Sequence, residues 1–242
     1  MIRIFVNEPC LEQNKTFKTE DNQLHYIKNV MRKNIGDEIL IFNGNDGEWL
    51  AFISKMDKKS LELTIKEKTK EQGKLSNVNL YFALIKKDKV DMVIEKATEL
   101  NIATINPIVT RRTITNKINL ERAYLNAIEA SEQCERTTIP KINEPIAFKN
   151  LMEIIKENKE KPFFIMDETG NGTNPKDTFE KYKGKEASFI IGPEGGFDTE
   201  EFKEISRFDN VFRVSMGKNI LRAETAIIAT ISCWHCVSGD FL

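Results

Sequence analysis

The sequence predicts an α/β protein in two parts, a small β-barrel with one helix and then a mostly parallel sheet covered by helices on both faces. Residues 1–68 contain short β-rich segments bounded by turn residues. From residue 78 onward strand-like and helix-like segments alternate, which is typical of a parallel sheet. The stretch 66–77 is polar and has no apolar periodicity, so we predict the domain boundary there.

Four segments of the first part have the pattern of strands: "IRIFV", "EILIF", "EWLAFISKM" and "LELTI". The stretch "NGNDG" at 43–47 fits a tight hairpin turn, because Asn, Asp and Gly tolerate positive φ. The segment "EDNQLHYIKNVMR" is predicted to be helical, since Leu24, Ile27, Val30 and Met31 recur at helical spacing.

The second part begins with a predicted buried strand, "VNLYFALI", and an amphipathic helix, "DKVDMVIEKATELN". Further strands are predicted at "ATINPIV", "PFFIMD", "EASFIIG" and "NVFRVSM". Further helices are predicted at "NLERAYLNAIEASEQ" and, near the end of the chain, at "RAETAIIATISCWHCV".

Composition limits the classes of function. The 242 residues are 40% hydrophobic and 30% charged, as in globular proteins, and the net charge of −1 argues against a uniformly basic nucleic-acid binder. Basic clusters such as "KNVMRK" and "KKDK" leave room for a local basic face, although such clusters are usually solvated surface. No apolar run approaches the roughly 18 residues of a membrane span, and "MIRIFVNEPC" lacks the features of a signal peptide, so we expect a cytoplasmic protein.

The four cysteines do not predict a disulfide scaffold, because such scaffolds are short and cysteine-dense. The motif "CWHC" at 233–236 resembles half of a metal or redox site, but zinc needs two further ligands and the other candidates are scattered. The motif also continues an apolar helical pattern. We therefore expect buried thiols on the last helix and no metal.

Three loops in the last third of the chain follow predicted strands: "IMDETGNG" (165–172), "IIGPEGGF" (190–197) and "VSMGKNILRAET" (214–225). Ligands of open α/β sheets bind beyond the carboxyl ends of strands, so these loops form the candidate site. The first strand of this part ends "ALIKKDKVD" without glycine, which argues against a Rossmann or common methyltransferase site. Glu194 stands where a phosphate-binding P-loop needs a lysine.

The second loop has a binding interpretation and an ordinary one. Glu194 suits a ligand with hydroxyl groups, an amine or a cationic centre, and the neighbouring glycines permit close approach of the backbone. The alternative is a plain turn before a helix that Asp198 and Glu201 cap, and we expect that cap in either case. Arg222 and Glu224 in the third loop likewise have ordinary explanations, as a surface ion pair and a helix cap.

Taken together, "IIGPEGGF" and "MGKNILRAETAIIA" resemble the RsmE family of ribosomal RNA methyltransferases, which is part of the knotted SPOUT class. The resemblance extends to "LHYIKNVMRKNIGDEILIFNGNDGEW", "ALIKKDKVDMVIEKATELNIATINPIVTRRT" and "EASEQCERTTIP", in the family's order, and so covers nearly the whole chain. The chain departs from the family at Ala223, where threonine is frequent, at Asn101, where glycine is usual, and at Met216–Lys218, where Leu-Gly-Pro is common. None of these departures removes a charged functional group.

The resemblance implies a PUA-like RNA-binding β-barrel at 1–70 and a SPOUT α/β domain with a deep trefoil knot at 76–242. It implies S-adenosylmethionine (SAM) as the cofactor, in a bent conformation between the three loops. The absence of a phosphate-binding lysine fits a ligand that has a sulfonium cation and no phosphate. The residues expected to hold SAM are Ile165, Met166, Asp167, Ile191, Gly192, Pro193, Glu194, Gly195, Gly196, Val214, Ser215, Met216, Gly217, Asn219, Ile220 and Leu221.

The implied reaction is methylation of N3 of a uridine in 16S ribosomal RNA, and the sequence leaves open whether the substrate is free RNA or the assembled 30S subunit. Arg222 is the candidate for stabilising negative charge on O2 and O4 of the base, and Glu224 is the candidate base, with a capping or Arg222-positioning role as its alternative. The residues expected to contact RNA are His25, Arg32, Lys86, Arg111, Arg112, Gln133 and Arg136. The family also implies a homodimer.

Other functions stay open on the sequence alone. One is another knotted methyltransferase that acts on a ribose 2′-OH or on a different base. A second is an RNA-binding ribosome assembly factor without catalytic activity, and a third is a nucleotide-binding enzyme that uses "GPEGGF" on phosphates. SAM binding separates the first from the second, and tight ATP binding that depends on Gly195 would favour the third. The sequence does not identify the modified uridine or the general base.

Overall fold

The computed structural model describes residues 1–19 and 21–238. The chain divides into two compact units. The first unit comprises Met1–Lys74 together with Ser131–Ile139, and the second comprises Leu75–Ala130 together with the chain from Pro140 onward.

The first unit contains a five-stranded sheet in the order β1-β3-β4-β5-β2. Only β1 and β3 pair in parallel among the described strands of this sheet. The strands are β1 (Arg3–Phe5), β2 (Thr16–Lys18), β3 (Glu38–Phe42), β4 (Glu48–Met56) and β5 (Leu61–Lys70). All four predicted strands are present, and the short β2 was not predicted.

The first residues of the polar stretch 66–77 belong to a strand, while the division between the two units, at Lys74 and Leu75, lies within that stretch. β5 continues to Lys70, because its polar half pairs with the start of β4, where Trp49 faces Lys68 and Glu48 faces Lys70. The side chains of this half are exposed, so it has no apolar pattern although its backbone is part of the sheet.

The predicted helix of this unit is short and irregular. It consists of α1 (Asp21–His25) and a π-helical segment, Tyr26–Val30. The Met31 N–H donates to the Tyr26 carbonyl, five residues back, at 2.9 Å. This wider turn moves Val30 and Met31 off the buried face, so they are 57% and 40% exposed while Ile27 is fully buried. The predicted helical segment is therefore present, but of Ile27, Val30 and Met31 only Ile27 is buried.

A buried arginine attaches segment 131–139 to the first unit. Arg3 is 8% exposed and pairs with Glu48 at 2.6 Å. Its remaining N–H groups donate to the carbonyls of Ser131 (2.7 Å) and Arg136 (2.8 Å). Because a buried guanidinium needs all its donors satisfied, these contacts fix the returning segment.

The second unit contains a sheet in which every described pairing is parallel, which confirms the predicted architecture. The strand order is β12-β10-β11-β6-β7-β8, and β9 also pairs with β7. The strands are β6 (Val78–Ala83), β7 (Thr104–Val109), β8 (Lys141–Ile142), β9 (Ile146–Ala147), β10 (Phe163–Met166), β11 (Ala187–Ile191) and β12 (Val211–Val214). The helices are α2 (Lys87–Glu99), α3 (Leu120–Gln133, whose last residues lie in the first unit), α4 (Phe148–Glu157), α5 (Pro175–Glu180), α6 (Thr199–Ile205) and α7 (Ala223–Ser238).

Alternate residues of the central strand β10 enter different hydrophobic clusters. Phe163 and Ile165 belong to the core that includes residues of α4 and α6. Phe164 instead contacts the rings of Phe179 on α5 and Trp234 on α7, at centroid distances of 5.1 and 5.8 Å. The sheet is thus covered on both faces, and its neighbouring strands β10 and β11 are buried at every residue.

The "CWHC" motif lies on α7 as predicted, but its thiols are not buried. Cys233 is half-buried and Cys236 is exposed, whereas Trp234 and His235 are buried. His235 Nε2 lies 2.8 Å from the Leu100 carbonyl oxygen, so the imidazole attaches α7 to the end of α2. Among the described residues no group of three or more His, Cys, Asp or Glu side chains is arranged to hold a metal. None of the helices that the structure describes is long and apolar enough to cross a membrane.

Candidate active site

The three glycine-containing loops lie at one edge of the sheet. β10 pairs with both β11 and β12 in parallel, so the carboxyl ends of the three strands are adjacent. The loops that follow them surround one cavity of about 500 Å³. This volume is within the usual range of small-molecule and cofactor sites, about 300–1,000 Å³.

Eleven of the sixteen residues predicted to hold a cofactor line this cavity: Met166, Asp167, Ile191, Gly192, Pro193, Glu194, Gly196, Met216, Gly217, Asn219 and Leu221. The other five do not. Ile165 and Val214 are buried in their strands, and Ile220 is 77% exposed. The Gly195 carbonyl accepts a hydrogen bond from Arg112 at 2.8 Å, and the Ser215 N–H donates to the Thr173 carbonyl at 3.0 Å.

Glycine at two positions permits the loops to approach one another. Gly196 has φ +67°, and a Cβ there would lie 1.9 Å from Glu168 Oε1. The loop after β10 therefore places a carboxylate directly against the "GPEGG" backbone. At Gly172 a Cβ would lie 2.6 Å from the carbonyl carbon of Val214, so the same loop passes directly over the end of β12.

A buried ion pair forms part of the cavity wall. The Asp167 side chain is fully buried; Arg213 donates to its Oδ2 from Nε (3.0 Å) and Nη2 (2.6 Å), and Thr169 donates to its Oδ1 from N (2.9 Å) and Oγ1 (2.7 Å). Burial by itself raises the pKa of Asp167, but the hydrogen bonds from Thr169 and Arg213 outweigh it, and the pKa lies below its ordinary value. The guanidinium also lies over the Phe202 ring, 5.0 Å from its centroid.

Arg213 was not predicted. The available signal was an arginine in the otherwise apolar strand "NVFRVSM", beside a strand that ends in aspartate. Charged residues in buried strands need a partner, and the carboxyl ends of neighbouring parallel strands supply one.

Two further carboxylates, Glu168 and Glu194, line the cavity and are exposed. Within the described chain no cationic side chain lies within 4.0 Å of either carboxylate, so neither has an ion-pair partner there. Since Asp167 is already paired with Arg213, these two residues supply the unpaired negative charge of the cavity. Arg112 and Lys203 also line the cavity, so its charge is mixed, and Glu168 and Glu194 offer acceptors for a cationic or hydroxyl-rich ligand.

The two predicted catalytic residues lie beside the cavity rather than in its wall. Arg222 is exposed and immediately precedes α7. Glu224 is 7% exposed, and its Oε1 lies 3.3 Å from Nζ of Lys89 on α2. Lys89 was not predicted as a site residue. Two residues of the cavity wall, Leu221 and Ala223, flank Arg222.

Two of the predicted RNA contacts are instead bonded to the glycine loop and the helix that follows it. Arg111 pairs with Asp198 at 2.7 Å, and its backbone N–H donates to Glu201 at 2.9 Å. Arg112 lines the cavity and donates to the Gly195 carbonyl. The predicted capping box is present at the start of α6. The Asp198 side chain accepts a hydrogen bond from the backbone N–H of Glu201, and the Glu201 side chain accepts one from the backbone N–H of Asp198.

The remaining predicted RNA contacts are divided between the two units. Lys86 is exposed and immediately precedes α2 in the second unit. His25, Arg32 and Gln133 are exposed in the first unit. Arg136 belongs to the same unit, where its Nε donates to Thr138 Oγ1 at 2.6 Å.

The sequence matches two family profiles. Residues 71–235 match the family described as RNA methyltransferase domain, and residues 19–66 match the RNA methyltransferase PUA domain. A protein of Rickettsia conorii named ribosomal RNA small subunit methyltransferase E is 34% identical over 95% of this chain and 93% of its own. The protein of the same name from Bacillus subtilis is 27% identical over 92% of this chain and 90% of its own.

A solved structure is similar over its whole length. It is a ribosomal RNA small subunit methyltransferase E from Neisseria gonorrhoeae bound to S-adenosyl methionine, 27% identical to this chain. The likeness covers 100% of both chains with a TM-score of 0.89. The family profile matches most of the sequence, and the Rickettsia conorii relative exceeds 30% identity along nearly the whole chain. This chain therefore belongs to the RNA methyltransferase family, among the ribosomal RNA small subunit methyltransferases E.

Proposed function

We propose that this protein transfers a methyl group from SAM to N3 of a uridine in 16S ribosomal RNA. The observation that carries the proposal is the meeting of three loops around one cavity at the carboxyl edge of the sheet. The similarity to a relative solved with S-adenosyl methionine bound, and the family to which the chain belongs, support the cofactor and the class of substrate.

The residues of the cavity fit SAM. Its volume of about 500 Å³ accommodates a nucleoside joined to an amino acid. Gly192 and Gly196 permit backbone groups to approach a flat adenine, and Glu168 and Glu194 supply negative charge toward a sulfonium. SAM supplies an electrophilic methyl group when bound, so the chain itself has to orient the target base and manage its proton.

Arg222 is the proposed catalytic residue. Loss of the proton from uridine N3 places negative charge on O2 and O4, and a guanidinium aimed at those oxygens stabilises that charge. The exposed position of Arg222 beside the cavity wall leaves its side chain accessible to a base presented there. Glu224 is either the proton acceptor or the residue that positions Arg222, and its burial against Lys89 favours the positioning role.

RNA contacts are proposed at exposed polar and basic side chains of both units, namely His25, Arg32, Lys86 and Gln133. Such contacts predict an affinity that falls steeply with salt. We also propose RNA contacts for Arg111, Arg112 and Arg136, in addition to the intramolecular hydrogen bonds that these side chains make. The N3 edge of a paired uridine is inaccessible, so the target has to be unpaired or flipped out.

Three further properties implied by the family remain proposals. The first is the deep trefoil knot, which the passage of residues 172–173 over the end of β12 supports. The second is a homodimer, which sedimentation equilibrium tests. The third is a cytoplasmic location, where the ribosome is assembled.

The decisive experiment is transfer of labelled methyl from SAM to 30S subunits that lack the modification, with the product base identified by mass spectrometry. We expect 3-methyluridine, and methyl at any other position contradicts the substrate assignment. The Arg222→Ala variant should lose at least 100-fold in kcat while SAM affinity stays within a few-fold, because the arginine acts in the transition state. An active Arg222→Ala enzyme excludes this role.

A further inference from the structure

A second cavity, of about 420 Å³, lies along the same edge of the sheet as the first. Its walls come from the chain between β6 and the start of α2, and from the chain between β7 and the start of α3. β6 pairs in parallel with both β11 and β7, so the carboxyl ends of β11, β6 and β7 follow one another. The second cavity is therefore at the carboxyl ends of β6 and β7, and β6 is the direct neighbour of β11, which carries the "GPEGG" loop.

Two contacts connect the segments that carry the two cavities, through residues adjacent in sequence to lining residues such as Val90 of the second cavity and Ala223 of the first. Lys89, on the first turn of α2, pairs with Glu224 at the start of α7, two residues after Arg222. On the other side, Arg112 follows β7 and donates to the Gly195 carbonyl. A ligand in the second cavity would therefore lie near the proposed reaction centre.

The second cavity is rich in cations. Lys86, Lys87, Lys117 and Arg122 line it, with Asp91 as the one carboxylate of its wall. Asp91 accepts hydrogen bonds from Arg122 Nε (3.2 Å) and from Asn126 (3.0 Å), so it does not neutralise the lysines.

The three lysines are exposed, and within the described chain no carboxylate lies within 4.0 Å of their ammonium groups. The chain as a whole has a net charge of −1, so this concentration of positive charge is local. An anionic ligand is the chemistry that it fits.

The inner wall of the cavity is apolar. Ile85, Val90 and Ala123 are 1%, 6% and 2% exposed, and their side chains form the part of the wall away from solvent. Ile114 is 74% exposed at the rim, an unusual position for a large aliphatic side chain. An apolar wall beside unpaired lysines matches a ligand that joins a flat, weakly polar base to a phosphate.

We propose that this cavity binds an unpaired nucleotide of the RNA substrate next to the methylated uridine, with its base against the apolar wall and its phosphate against Lys87 and Lys117. This inference rests on the proposed function and specifies how the substrate is presented. Single strands are bound through base contacts together with a positively charged track for the backbone. A base flipped toward the first cavity leaves its neighbour unstacked, and the second cavity provides that neighbour with new contacts.

The test is charge reversal at the two lysines, Lys87→Glu with Lys117→Glu, measured as affinity for unmodified 30S subunits at several salt concentrations. The matched control is Lys149→Glu with Lys156→Glu on α4, which changes the same charge at exposed positions of the same unit. We expect at least a tenfold loss of affinity relative to the control. The slope of log affinity against log salt should fall in magnitude by about 0.7 for each lost phosphate contact. The SAM affinity of the variant, measured by calorimetry, should stay within twofold of the wild-type value. An unchanged SAM affinity would show that the second unit is folded.

A second variant separates base contacts from phosphate contacts. Ile114→Ser removes apolar surface without changing charge, so we expect a loss of a few-fold in RNA affinity with an unchanged salt slope. A reduced slope in this variant contradicts the proposed division of roles.

Other outcomes discriminate among the alternatives. RNA affinity within twofold of the Lys149/Lys156 control overturns the proposal. A change in sedimentation without a change in RNA affinity also overturns it, and shows that a second copy of the chain covers this cavity. If wild type binds RNA through these lysines but transfers no methyl group, the nucleotide site stands and the proposed function fails.

Discussion

Replacement of Arg213 by methionine removes the cationic partner of a buried carboxylate in the wall of the cofactor cavity. Methionine keeps an unbranched side chain of similar length but supplies no N–H donor. Asp167 Oδ2 then loses the two hydrogen bonds that it accepts from the guanidinium, at 2.6 and 3.0 Å. The Asp167 side chain is 0% exposed, so protein groups must compensate its charge.

The expected loss of stability follows from this geometry. Removing one partner of a fully buried ion pair costs about 3–5 kcal/mol. Here the Arg213 side chain is 38% exposed, so water enters on its side of the pair and screens the remaining charge. We therefore expect a loss of about 2–3 kcal/mol, to which the lost contact with the Phe202 ring contributes. For a chain of this size the midpoint of thermal unfolding should fall by about 4–12 °C.

The loss depends on pH with a definite sign. The pKa of Asp167 in the folded protein lies below its ordinary value near 4. A carboxyl group with a lowered pKa contributes stability above its unfolded pKa and loses that contribution as the pH falls through the folded value. The difference between wild type and Arg213→Met should thus be largest above about pH 4 and should shrink in more acidic solution.

Thermal unfolding followed by near-ultraviolet circular dichroism between pH 3 and pH 7 measures this difference. The double variant Asp167→Asn with Arg213→Met removes the uncompensated charge and should recover part of the loss. Lys203→Met is the matched control, because its pair with Glu200 is exposed and should contribute under about 1 kcal/mol. A midpoint for Arg213→Met within 1 °C of the wild-type value at pH 7, or a loss that does not change with pH, refutes the reasoning.

Two further predictions concern the contacts between loops. Gly172→Ala places a methyl group 2.6 Å from the Val214 carbonyl carbon, a backbone atom that cannot move away easily. We therefore expect the free energy of unfolding to fall by about 1–3 kcal/mol, measured by thermal unfolding. An unchanged midpoint would contradict the close approach of the two loops. Arg112→Ala releases the Gly195 carbonyl, so calorimetry should show SAM affinity lowered by about fivefold, equivalent to one hydrogen bond of about 1 kcal/mol. Unchanged SAM affinity with weakened RNA binding would instead assign Arg112 to the RNA alone.

Strands of the parallel sheet were predictable because they are buried on both faces. All four residues of β10 and all five of β11 are buried, so each strand forms a continuous apolar run in the sequence. By contrast, β2 has one buried residue, Phe17, and β8 and β9 have two residues each. Such segments become strands through pairing with a neighbour, which the local sequence does not record.

The helix α4 was missed although its sequence carried a signal. Leu151, Met152 and Ile155 are buried and recur at helical spacing in "FKNLMEIIKE". The omitted α5 is harder to predict, since its six residues are too few to establish a period. Only its N-terminus is marked, by Asn174 followed by proline.

Long-range contacts account for most of what the sequence could not predict. Segment 131–139 continues directly from α3, and nothing in its composition separates it from the second unit. It belongs to the first unit because of hydrogen bonds from Arg3, which is 128 residues away from Ser131 along the chain. A sequence pattern reports local periodicity, whereas this attachment depends on a single buried side chain and its partners.

The start of α7 illustrates why adjacent functional residues need not act together. In the sequence, Arg222 and Glu224 are two positions apart, which makes them natural candidates for a shared catalytic role. Arg222 precedes α7, whereas Glu224 lies in its first turn, so their side chains have different surroundings. Accordingly, Glu224 is buried against Lys89 while Arg222 is exposed. For Glu224 to accept a proton from the base, this ion pair would have to open, whereas its present contact already fixes the first turn of α7 and with it the preceding Arg222. This geometry supports the proposal that the neighbouring residues have different functions, with the arginine acting on the substrate and the glutamate on the arginine's position.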